Sequence, residues 1–198
     1  ALFVLILFVF SPSFLAHGSL VTTDVAAALG AMLALYWFLQ FLYNPSWEHT
    51  VIAGGALAFA LLVKFSTFVL LPVFGLLFFL YWQFLPASHP LRQHFFLYLK
   101  RGAGILLIAT VLLGAVYQLH ILNYPAERQL RDSKEILAAY YRIPPEDVRF
   151  SIASSPLMRP YAQYLLGLLR SAQRIQMRSV DYFLGETGPT GWRHYFPV

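Results

Sequence analysis

The chain has 198 residues, 59% hydrophobic and 12% charged, with a mean hydropathy of +0.61 and a formal net charge of +5. No ordinary soluble domain of this length needs so much apolar surface, so a polytopic membrane protein is expected and a nucleic-acid partner is not. Zero Cys excludes disulfides and thiol chemistry.

Residues 1–14 are apolar and end in the helix-stopping cluster Ser11-Pro12-Ser13. They read as the tail of a spanning helix. A signal peptide would need a basic region before the apolar stretch and a small-residue cleavage site after it, and this segment has neither. The chain opens in mid-run at Ala1 without Met and stops at Phe196-Pro197-Val198, so an internal fragment of a longer protein is expected. A polar hinge, His17-Gly18-Ser19 and then Thr22-Thr23-Asp24, precedes an apolar run over 25–43. Thr and Asp cap helix N-termini well, and about 20 residues suffice to span. Asn44-Pro45-Ser46 closes this helix, and Trp37, Tyr43 and Trp47 are expected in an interfacial aromatic belt.

The next apolar run, 50–84, is too long for one crossing, since about 50 Å of helix would meet roughly 30 Å of hydrocarbon. Its one charge is Lys64. The spacing predicts a short helix over 51–63, rich in small residues suited to close packing, a division at Lys64-Phe65-Ser66, and a second helix over 68–84. Arg92, Lys100 and Arg101 are read as a loop before a span over 103–122. Positive residues favour the cytoplasmic side, which puts the loop at 86–101 inside. Lys64, the hinge at 17–24 and everything after Asn123 then fall outside. A single tilted helix over 51–84 is the alternative, and it would separate Asp24 from the tail.

From Asn123 the charges are mixed. Glu127, Arg128, Arg131, Asp132, Lys134 and Glu135 surround Leu130, Ile136 and Leu137, the pattern of an amphipathic surface helix. A break is expected at Ile143-Pro144-Pro145. A second amphipathic stretch follows over 161–180, with Arg170, Arg174 and Arg178 at four-residue spacing, and such a helix can lie in the headgroup plane. Residues 185–191 read as a turn-rich loop.

Two charges stand out chemically. Asp24 is either a carboxylate favoured by a helix N-terminus or a base that orients a substrate hydroxyl or phosphate. Lys64 either snorkels from a helix end or binds a phosphate in a cavity. His17 is read as a hydrogen-bonded loop histidine or a site residue. With Asp24 it is too thin a set for zinc, and no metal is expected.

The order 11–24 (Ser-Pro-Ser-Phe-Leu-Ala-His-Gly-Ser-Leu-Val-Thr-Thr-Asp), then Ala56-Leu57-Ala58-Phe59-Ala60-Leu61-Leu62-Val63-Lys64-Phe65-Ser66 and Leu71-Pro72, resembles the protein mannosyltransferase and aminoarabinose transferase superfamily of GT-C type. So does the tail, with Arg159-Pro160-Tyr161, Phe183-Leu184-Gly185-Glu186 and Gly191-Trp192-Arg193-His194-Tyr195-Phe196-Pro197. The resemblance implies an all-α polytopic transmembrane bundle. Residues 1–122 would carry about five membrane helices, one of them short. Residues 123–198 would form an external, periplasmic or luminal, loop region with amphipathic helices. It further implies transfer of a sugar from a polyprenyl-phosphate donor to a hydroxyl of a protein or glycolipid acceptor, with no cofactor beyond that donor, at the external face of a bacterial inner or plasma membrane. Lys64 would neutralise the carrier phosphate and Asp24 would support it. His17 and Tyr161 would contact substrate, and the main acidic base would lie upstream of this chain. A transport or assembly subunit and a lipid-linked glycan ligase or polymerase are the alternatives. A transporter of repeated halves is disfavoured because no internal repeat is visible.

Overall fold

The computed structural model describes residues 2–12, 15, 23–84, 94–141, 155–176, 181–183 and 186–188. The elements in chain order are α1 (Leu2–Val9), α2 (Asp24–Tyr43), α3 (Trp47–Val63), a 3-10 segment (Phe65–Val69), α4 (Leu70–Phe84), α5 (Phe95–His120), α6 (Ala126–Tyr141), α7 (Arg159–Gln176), and the short strands β1 (Asp181–Phe183) and β2 (Glu186–Gly188). The chain is an all-helical membrane bundle apart from that ribbon. Among the described residues three segments, Asp24–Tyr43, Phe65–Phe84 and Phe95–His120, are long and apolar enough to cross a membrane, and Trp47–Val63 is a shorter apolar helix. Two compact units are present, Ala1–Val116 and Tyr117–Val198, so the last turn of α5 belongs to the second.

In the first unit, α2 and α3 are joined by three residues and pack along their length. Ser46 makes the turn possible, because its Oγ accepts the His49 N–H at 3.1 Å and caps α3. The buried residues of α2 are Ala27, Gly30, Ala34, Phe38, Phe41 and Leu42, at the three- and four-residue spacing of one helix face. Leu29, Met32 and Leu39 of the same helix are exposed. That inversion of the soluble pattern is what a lipid-facing surface requires. Small residues set the helix separation: a Cβ at Gly30 would stand 3.0 Å from Ala60 Cα, and one at Gly104 would stand 3.2 Å from Thr50 Cγ2. Phe38 and Phe74 stack at 3.9 Å between ring centroids, and Phe41 meets the buried ring of Tyr98 at 5.8 Å.

Three expectations change. The apolar run 50–84 is two helices, as its length demands, but the first begins at the Ser46 cap. The span read as 103–122 begins at Phe95, so Lys100 and Arg101 are helical rather than in a loop. Lys and Arg are good helix formers, and nothing between Phe95 and Arg101 breaks a helix. The turn-rich tail contains a hairpin, with Asp181 opposite Gly188, Tyr182 opposite Thr187 and Phe183 opposite Glu186. Aromatic and β-branched residues flank a two-residue connection, which suits a tight antiparallel pairing.

In the second unit, α6 and α7 are clamped by polar groups. Gln129, 1% exposed, accepts from Arg159 Nε at 2.9 Å and donates to Arg159 O at 3.1 Å and to Gln163 Oε1 at 3.2 Å. Arg159 also donates to the carbonyl of Tyr124, and the Tyr124 hydroxyl donates to Asp132 Oδ2 at 2.7 Å.

Candidate functional site

A run of apolar helix that must stop in mid-sequence needs partners for its last carbonyls. At the end of α3 the backbone of Lys64 turns extended, with φ −155° and ψ 133°, and the helix gives way to the 3-10 segment. Thr67 repairs the break. Its buried Oγ1 lies 2.7 Å from both Ala60 O and Lys64 O, and its N–H donates to Lys64 O at 3.2 Å. The Lys64 side chain is thereby sent out of the helical register.

The antiparallel return of α3 along α2 brings this break beside the start of α2, where Asp24 is the first helical residue. Lys64 Nζ donates to Asp24 Oδ1 across 40 positions of sequence, forming an ion pair whose side chains are each 39% exposed. The side chain of the N-cap residue, Thr23, makes no capping bond. A helix N-terminus favours a carboxylate by about 0.3–1 kcal/mol, and an ion pair this exposed adds a contribution of similar size, about 0–1 kcal/mol. An ammonium has three donors, so the carboxylate leaves capacity for an anionic ligand.

Of the residues singled out from sequence, Asp24 and Lys64 come together. His17 lies outside the described residues. Tyr161 lies in the first turn of α7, half-buried, in the second unit. Arg159, its neighbour in the same motif, is the clamp on α6. Thr67 was missed; the signal available was a hydroxyl three residues beyond the lysine that ends the helix. Among the described residues no group of three or more His, Cys, Asp or Glu could hold a metal.

The family model for dolichyl-phosphate-mannose-protein mannosyltransferase matches residues 1–125, which contain the hinge, the helix break and both members of the ion pair. No curated protein and no solved structure matches the chain significantly. The match takes in more than half of the chain and, with it, every spanning helix described above; the chain belongs to the dolichyl-phosphate-mannose-protein mannosyltransferase family, and it is a membrane glycosyltransferase of the kind that draws on a lipid-linked sugar.

Proposed function

We propose that the protein transfers a sugar from a polyprenyl-phosphate carrier to an acceptor hydroxyl at the external face of a bacterial inner or plasma membrane, and that Lys64 is the residue that receives the carrier phosphate. The acceptor oxygen attacks the anomeric carbon, the bond from that carbon to the phosphate oxygen breaks, and the polyprenyl phosphate departs with the electron pair. An acidic residue, which the family resemblance puts outside residues 1–198, takes the hydroxyl proton. The observation that carries this reading is the Lys64–Asp24 pair at a helix break in a glycosyltransferase. Charge that develops on a leaving phosphate is stabilised most by a fixed cation in a low-dielectric site. Asp24 holds the ammonium in place and keeps it compatible with the membrane until the anion arrives. His17 and, in the second unit, Tyr161 are proposed as substrate contacts on the resemblance. Residues 123–198 are assigned to the external side.

The test is sugar transfer by the full-length protein in liposomes carrying a polyprenyl-phosphate sugar. Lys64→Met should lower transfer by about two to three orders of magnitude while thermal stability shows a folded protein. Asp24→Asn should impair it less, because it loosens the ammonium without removing it. The double variant separates structure from chemistry. If the pair only neutralises two charges, Asp24→Asn with Lys64→Met restores stability and activity together. If Lys64 meets phosphate, stability returns and transfer does not. Near-wild-type transfer in both single variants sinks the proposal.

A further inference from the structure

Composition does not stop α3 where it stops. Lys64-Phe65-Ser66-Thr67-Phe68-Val69-Leu70-Leu71 holds no Gly or Pro. Pro72 follows, but a proline clashes with the carbonyl four residues before it, here that of Phe68, and is tolerated in the first turn of a helix, where it stands in α4. Proline alone would let α3 run on to Thr67. The helix ends at Val63, a full turn earlier.

That early stop decides where Lys64 goes. Thr50, Ala53, Leu57 and Ala60 are buried on α3, and Lys64 is next in their three- and four-residue series. This face is pressed against α2, since a Cβ at Gly30 would stand 3.0 Å from Ala60 Cα. In helical register Lys64 would enter the seam between α2 and α3, its stem leaning back along α3, because helical side chains tilt toward the N-terminus. The extended backbone takes it out of the series, and Nζ reaches Asp24 at the start of α2.

Thr67 supplies the stop. Its hydroxyl has one hydrogen and two carbonyls at 2.7 Å, Ala60 O and Lys64 O. Lys64 O already accepts the Thr67 N–H at 3.2 Å, whereas the Lys64 N–H stands 3.4 Å from Ala60 O, past the usual range. The hydroxyl proton therefore contributes most on Ala60 O, and at 6% exposure of Thr67 water is a poor substitute for it. We infer that Thr67 is a positioning residue, whose hydroxyl ends α3 at Val63 and so holds the Lys64 ammonium on Asp24 rather than in the α2–α3 seam. The placement follows from geometry; that it serves transfer rests on the proposed function.

The test uses the full-length protein in liposomes carrying a polyprenyl-phosphate sugar. A carbodiimide joins a carboxylate to an amine only where the two touch, and mass spectrometry measures the Asp24–Lys64 amide. Thr67→Val keeps the side-chain shape without the hydroxyl, and Thr67→Ser keeps the hydroxyl; Thr67→Ala replaces the valine variant if size exclusion shows that one misfolded. The cross-link should fall severalfold in Thr67→Val and persist in Thr67→Ser. Transfer should follow it, about ten- to a hundredfold lower in Thr67→Val. Adding Thr67→Val to Lys64→Met should cost no further transfer, whereas a merely structural role would cost the same in both backgrounds. No cross-link in the wild type, an unchanged cross-link in Thr67→Val, an equal loss in Thr67→Ser, or additive losses with Lys64→Met would each overturn the inference. A cross-link that falls as expected while Lys64→Met transfers normally would uphold the positioning and sink only the phosphate reading of Lys64.

Discussion

At the scale of single residues, Asp132 shows how one hydroxyl tunes a carboxylate. The hydrogen bond from Tyr124 is the main reason its acid form is disfavoured, and the exposed Arg131 and Arg128 add to it, so its ionisation falls below the ordinary value of 3.8. Tyr124 shifts the other way, above 10.0, through burial first and the bond to Asp132 second. A lowered carboxylate stabilises the fold above its unfolded value and loses that contribution as pH falls through its folded value. A raised phenol contributes below its unfolded value and loses it as pH rises through its folded one. The thermal stability gap between the wild type and Tyr124→Phe should therefore be flat between pH 3.8 and 10.0 and close on either side. A gap that persists unchanged well below that window would show that the bond does not hold Asp132. Asp24 and Lys64 were legible as residues because charges are so costly in apolar runs that each asks for an explanation. Their contact was less so: it follows only if 51–84 is broken, which length argues but does not locate. Thr67 is legible only as a hydroxyl three residues beyond the lysine, since a hydroxyl in an apolar segment has many local carbonyls to choose from, and only the break makes Ala60 and Lys64 the carbonyls within its reach.

At the scale of elements, small residues decide which helices touch. Two adjacent glycines of α3 make a controlled comparison. A Cβ at Gly54 would stand 2.8 Å from Ile108 Cβ and 2.9 Å from its Cγ2, closer than packed carbons come, while one at Gly55 meets nothing within 4 Å. Gly54→Ala should destabilise the protein by about 1–3 kcal/mol through overpacking of α3 against α5. Gly55→Ala should be neutral or stabilising by up to about 1 kcal/mol, from helix propensity. Thermal unfolding in detergent reads both, and equal effects would mean that α3 and α5 do not pack at Gly54. Sequence showed a small-residue helix but not which glycine faces a neighbour, because the neighbour, Ile108, is 54 positions away. The start of α5 was misjudged for another reason. Charge in an apolar chain points to a loop, yet Lys100 and Arg101 fit the first turns of a helix longer than the hydrocarbon. The β1–β2 hairpin was obscured by its short strands, three residues each.

At the scale of the whole molecule, the helix count determines which residues share a side of the membrane. With α2, α3, α4 and α5 each crossing once, Asp24 and the break at Lys64 fall on one side and the connection at 44–46 on the other. Basic residues then decide which side is which. Arg92 precedes α5 in sequence and Lys100 and Arg101 stand in its second turn, and positive charge near helix ends is retained in the cytoplasm. The proposed reaction needs that arrangement, since under that proposal the carrier sugar and the acceptor meet on the side where Lys64 stands. Single cysteines at Lys64 and Tyr161 should accordingly react with a membrane-impermeant maleimide added to intact cells, while cysteines at Glu48 and Ser88 should react only after permeabilisation. The short helix α3 is the sensitive point, because 17 residues give about 25 Å, a little less than the hydrocarbon. If α3 entered and left on the same side, Glu48 would label together with Lys64 in intact cells. That result would put Lys64 on the side of the 44–46 connection, one crossing of α2 away from Asp24, and the ion pair and the polyprenyl-phosphate reading of Lys64 would fall together.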